Sequence, residues 1–122
     1  MNAAKHKEKA LRIERSLAKL RPEDAEMRIE AAMLAATHWT NLAYHAKGAT
    51  KDEQDILHSY MLTVNEFRRL SAADEPLITK LSEIEDLRPV YVRGDVPGAQ
   101  QAADNAVALL ADIRRIANAA GA

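Results

Sequence analysis

The sequence contains no cysteine. That absence excludes a disulfide framework, a zinc-thiolate site and a cysteine nucleophile together. Aromatic residues are scarce as well, at one Trp, three Tyr and one Phe, and glycine and proline number only four each. A sheet built on cross-strand aromatic and β-branched pairs is therefore disfavoured. Long apolar runs are missing: nothing approaches the roughly 20 residues that cross a bilayer. The N-terminal stretch Met1-Asn2-Ala3-Ala4-Lys5-His6-Lys7 runs into charge, not into the apolar region of a secretory signal. A cytoplasmic protein with no membrane association is the expectation. An excess of one charge is lacking too, since the formal net charge is -1, so overall charge points neither to nucleic acid nor to an acidic tail.

What is abundant is alanine, 24 residues of the 122, within a composition that is 48% hydrophobic and 29% charged. Alanine favours helices and lets their backbones approach closely. The expected fold is all-α, a five-helix antiparallel bundle forming one domain over residues 1–122.

Apolar spacing through Ala10, Leu11, Ile13, Leu17 and Leu20 predicts a first, basic helix over residues 5–20, read as a solvated helix docked on an acidic neighbour. Arg21-Pro22-Glu23-Asp24 opens a second helix that runs to Ala46, with proline at the first helical position. Its centre, Ala31-Ala32-Met33-Leu34-Ala35-Ala36, is apolar on every face and marks a helix surrounded by others. Lys47-Gly48 closes it. Thr50-x-x-Glu53 has the form of a capping box and predicts a third helix over residues 51–72, burying Ile56, Leu57, Tyr60, Met61, Val64, Phe67 and Leu70. Asp74-Glu75-Pro76 starts a fourth, with Leu77, Ile78, Leu81, Ile84 and Leu87 as its stripe. That helix is expected to end at Arg88, because Pro89 disfavours helical geometry in its predecessor. A fifth runs from Pro97 to about Ala119.

His38 and His45 stand two turns apart on the second helix. That is about 10.5 Å of rise, too far for both rings to share one ion. No Glu-x-x-His pair of the di-iron bundle type occurs, and Asp55-x-x-His58 is a single pair. The histidines are read as structural, with no metal and no cofactor expected.

The one long stretch not written as a helix is residues 83–98, where Pro89, Gly94, Pro97 and Gly98 punctuate Val90-Tyr91-Val92. Irregular backbone on a helical scaffold is a common seat of function. Leu87-Arg88-Pro89-Val90-Tyr91-Val92-Arg93-Gly94, between a leucine-spaced helix and a final alanine-rich one, resembles the pre-terminal segment of the HEPN family of small helical bundles over residues 77–116. In that family's ribonucleases an Arg is followed after four to six residues by a His, as in Leu-Arg-Asn-x-x-x-His-Gly, and other branches carry an Arg followed shortly by a Tyr. Here Arg88 and Tyr91 match, while Arg93 stands where the His would fall. The resemblance implies that the Arg stabilises phosphate charge and the His moves protons. Arginine cannot serve as a base near neutrality.

No residue is thus assigned a catalytic role. Arg88 and Arg93 are the candidate phosphate or anion contacts, with Tyr91, His38 and His45 in support. The expected function is a non-catalytic HEPN-like module that docks a partner or presents a nucleotide or RNA phosphate site. The alternative is a divergent, toxin-like ribonuclease that uses Arg88 and Arg93 with His38, His45 or His58 as base; a metal-binding bundle ranks third. The resemblance implies a homodimer and permits a nucleotidyltransferase or antitoxin partner. Ile78, Val90, Tyr91, Val92 and Val96 are the expected dimer face.

Overall fold

The computed structural model describes residues 1–121. Five α-helices carry the chain, and no strand occurs among the described residues: α1 Ala3–Leu17, α2 Ala25–Ala46, α3 Val64–Ala73, α4 Glu75–Leu87 and α5 Ala99–Gly121. A short 3-10 turn, Ser59–Met61, precedes α3, and a π-helical turn, Arg88–Arg93, follows α4. Among the described residues no helix is long and apolar enough to cross a membrane.

The alanine-rich α2 is the pillar, touching α1, α4, α5 and the π turn. Ala32, Ala35, Ala36 and Ala43 are fully buried along it. With no side chain beyond Cβ, they let the flanking helices close in. The predicted stripe of α4 is inside, with Leu77, Ile78, Leu81 and Ile84 buried, and α5 presents Ala102, Ala106, Leu110 and Ile113 to the same core.

Local end signals explain several boundaries. Asn2 accepts the amide of Lys5 at the start of α1, and Asp74 accepts that of Leu77 at the start of α4. At the end of α2, Ala49 N–H bonds Tyr44 O and Gly48 N–H bonds His45 O, with Gly48 at φ +74°. This is a Schellman closure, and glycine occupies its left-handed position without strain. The start of α2 lies later than expected: Pro22 sits in a turn ahead of Asp24, and the helix begins at Ala25.

Two expectations are corrected. The third helix does not begin at residue 51. Thr50-x-x-Glu53 forms no box, because the Thr50 hydroxyl is bonded to His45. The working box is Thr63-x-x-Glu66, with both reciprocal bonds made. Leu57, Tyr60, Met61 and Val64, expected inside, are each more than 60% exposed; of the apolar residues assigned to that helix only Ile56 and Leu70 are buried.

The second correction concerns the segment after α4. Arg88 keeps helical angles (φ -65°, ψ -49°) although Pro89 follows it, and the chain continues as a π turn closed by Gly94 N–H on Pro89 O at 3.1 Å. The wider turn accommodates a ring that would crowd an ordinary α-helix. Gly94 is required there, since a Cβ would stand 2.5 Å from Val90 O.

Candidate functional site

The segment from Lys47 to His58 is irregular, yet it is tightly held. Asn41, buried on α2, accepts the amide of Ile56 at 2.7 Å and donates to the same residue's carbonyl at 2.8 Å. Glu85, 4% exposed on α4, accepts the amide of Ser59, its hydroxyl, and Nδ1–H of His58 at 2.9 Å. Side chains distant in sequence thus satisfy backbone groups that a helix would have satisfied locally.

This pinning brings together a cluster that sequence spacing does not reveal. His6 of α1, 2% exposed, lies between His38 and His45 of α2. Its Nδ1 is 2.9 Å from Nδ1 of His38, and its Nε2 is 2.8 Å from Oδ1 of Asp55. His45 Nε2 meets that same Asp55 oxygen at 2.9 Å, and its Nδ1 meets the Thr50 hydroxyl at 2.6 Å. The two-turn separation of His38 and His45 is what leaves room for the third ring.

Charge follows from surroundings. Burial opposes ionisation of Asp55, but hydrogen bonds from His6 and His45 and from the Met1 amine outweigh it and hold the carboxyl at about 2. Burial lowers His6, and burial with the neighbouring His6 and Lys9 lowers His38 to about 4, so both are neutral near pH 7. An ionised carboxylate only accepts, so Nε2 of His6 and of His45 carry the protons. Nδ1 of neutral His6 is then an acceptor, His38 must donate to it from Nδ1, and Nε2 of His38 is left with its lone pair.

Alongside lies a cleft of about 510 Å³, walled by apolar Met33, Leu34 and Leu57 and by His38, His58 and Arg88. Such a mostly apolar hollow with a few convergent polar groups suits a small ligand. Arg88 reaches it from the π turn and donates from Nε to Glu30 at 2.6 Å. That bond raises its already high basicity, so the guanidinium stays charged. His58 on the wall carries Tyr60 stacked on its ring, centroids 4.7 Å apart and planes 14° from parallel.

The predicted residues therefore separate. Arg88 and His38 share the cleft. Arg93 is exposed, does not line it, and makes no salt bridge among the described residues. His45 lies behind it, its side chain 3% exposed. Tyr91 and Val92 are half-buried against the core. Ile78 is fully buried in the core of its own chain and offers nothing to a dimer partner, which corrects its place in the expected face; Val90 and Val96 are exposed. The periodicity that marked Ile78 as apolar could not say which neighbour covers it. No Lys or Arg of α1 makes the expected pairing with an acidic neighbour among the described residues; its acidic contact is His6 with Asp55, and its own Glu14 pairs with Arg114 of α5.

His6 and Glu85 escaped sequence reading, and Asp55 was weighed only as a pair with His58, whereas the structure pairs it with His6 and His45, because each gains its role only across elements. His6, His45 and Asp55 also bring one potential ligand atom each to within 4.8 Å of one another. No family model, no curated protein and no solved structure matches the chain.

Proposed function

We propose that the chain is a HEPN-like antiparallel bundle working in the cytoplasm as a dimeric, non-catalytic binding module, and that its cleft takes the phosphate and base of a nucleotide or an RNA end. The observation that carries this reading is Arg88 on the wall of the cleft. Its bond to Glu30 uses Nε, one of five guanidinium donors, which leaves others for an anion. The His58–Tyr60 stack beside it offers an aromatic face for a base. Arg93, standing apart, belongs to the surface around the site. Docking of a nucleotidyltransferase or antitoxin is compatible with this reading through the exposed π turn.

Calorimetric titration with AMP and with a short single-stranded RNA tests it. One of the two is expected to bind, and Arg88→Ala to weaken binding about tenfold or more. If neither binds the wild-type chain, the reading fails. The ribonuclease alternative is favoured by one observation, that His38 and His58 line the same cleft as Arg88. Cleavage of the RNA by wild-type protein, lost in His38→Ala or His58→Ala with the fold intact, would establish it in place of simple binding.

The dimer is supported by exposed Val90 and Val96 on and just beyond the π turn, flanked by half-exposed Tyr91 and Val92. Light scattering is expected to give twice the chain mass of 13.5 kDa, and Val90→Asp to give the monomer. A monomer mass for the wild type at every concentration removes the dimer from the proposal.

A further inference from the structure

We propose that His6, His45 and Asp55 form a binding site for a divalent transition metal, fitted best to Zn2+, with Nε2 of each imidazole and a carboxylate oxygen as ligands and one position left for water or an incoming group. The site is independent of the phosphate reading of Arg88. Its ligands come from three separate segments: α1, α2 and the pinned loop. Both Nε2 atoms converge on a single oxygen, at 2.8 and 2.9 Å. Two imidazoles and one carboxylate are a donor set that zinc and its neighbours in the first transition row accept, and three protein ligands with an open fourth position are the form of reactive zinc sites.

The second ring nitrogens strengthen the argument. A metal-bound histidine needs its other nitrogen hydrogen-bonded so that ring and tautomer are held. Nδ1 of His45 has the Thr50 hydroxyl at 2.6 Å, and Nδ1 of His6 has Nδ1 of His38 at 2.9 Å. Both partners can donate or accept. Facing the Asp55 carboxylate, Nε2 of each ring carries a proton. With metal on Nε2 in its place, the proton resides on Nδ1, and the Thr50 hydroxyl and Nδ1 of His38 stand where acceptors for it are needed. The same atoms in nearly the same places satisfy both states.

Two of the three ligand–ligand separations are near the value that zinc needs, and the third is within 4.8 Å. Ligands about 2.0 to 2.1 Å from a tetrahedral zinc stand about 3.3 Å from one another, so the two Nε2–Oδ1 separations must open by about half an ångström. The Asp55 side chain, 27% exposed, is the least enclosed of the three, and a small rotation would move Oδ1 by that amount while Oδ2 stays near the Met1 amine, now 3.0 Å away. His6 and Asp55 also border the cleft, which supplies an entry path.

The full-length chain, stripped with EDTA, is titrated with Zn2+ by calorimetry and its thermal unfolding midpoint followed. One Zn2+ per chain and a raised midpoint are expected. Asp55→Asn, which keeps an oxygen acceptor for both imidazoles but loses the charge, is expected to weaken uptake at least about tenfold, while Arg93→Ala leaves it unchanged. No Zn2+ uptake by the wild type, or equal uptake by Asp55→Asn, overturns the site and leaves a hydrogen-bonded network. Should Asp55→Asn fail to fold, Co2+ added to the wild type decides. Ligand-field bands of a four- or five-coordinate ion bound through nitrogen support the site, and the spectrum of the aqueous ion overturns it.

Discussion

Glu85→Ala is expected to destabilise the fold by about 3 to 5 kcal/mol, because it takes the shared acceptor away from a group of buried donors. Glu85 is 4% exposed, and three donors depend on it: the Ser59 amide, the Ser59 hydroxyl and His58 Nδ1. With alanine, the Ser59 groups stay buried with no acceptor, at about 1 to 3 kcal/mol each. Glu85→Gln keeps the shape and one carbonyl oxygen but brings a donor against donors, and should cost roughly half as much. Urea denaturation measures both. Comparable midpoints for the wild type and Glu85→Ala would show that the irregular segment is held by something other than α4. The effect reaches the cleft, since loss of this anchor releases His58 from its wall together with the Tyr60 ring stacked on it. Affinity for the proposed nucleotide or RNA ligand is expected to fall in Glu85→Gln even where the bundle stays folded.

Trp39→Ala is the second large effect, again about 3 to 5 kcal/mol. The indole is 1% exposed on α2, and its Nε1 donates to Glu14 at 2.7 Å. Glu14 also receives Arg114 of α5, so one carboxylate ties α1, α2 and α5 together at the indole. Alanine leaves a large cavity at that junction and removes the tie. Trp39→Phe fills most of the space and loses only the N–H, for about 1 to 2 kcal/mol. Far-ultraviolet circular dichroism is the measurement to use, because this is the sole tryptophan and fluorescence disappears with it. A phenylalanine variant as unstable as the alanine one would mean that the hydrogen bond outweighs the packing.

The apolar stripes of α2, α4 and α5 could be read from order alone, because a helix pairs its own backbone and residues three and four apart share a face. The caps at Asp74 and Gly48 were legible for the same reason: their bonds close within a turn. Arg88 was singled out in the sequence through its place beside Pro89 and Tyr91, but its position on the cleft wall and its bond to Glu30 come only from the packing. The start of α3 was not legible, because Thr50-x-x-Glu53 and Thr63-x-x-Glu66 are locally equivalent boxes. The choice between them is made by His45, which takes the Thr50 hydroxyl, and by Asn41 and Glu85, whose bonds to Ile56 and Ser59 span 15 and 26 residues. The metal-ready cluster lies wholly on that second side. His6 sits in a stretch that reads as basic and solvated, and Asp55 in one that reads as helix, where its only local partner would be His58; the observed partners are His6 and His45, and His58 bonds Glu85 instead. Docking of α1 on α2 buries the imidazole, and an ionised acceptor from the loop offsets the cost of removing polar rings from water. Interactions within a helical turn were decided by the order of residues. Those that join distant segments were decided only when packing chose which buried polar groups had to satisfy one another.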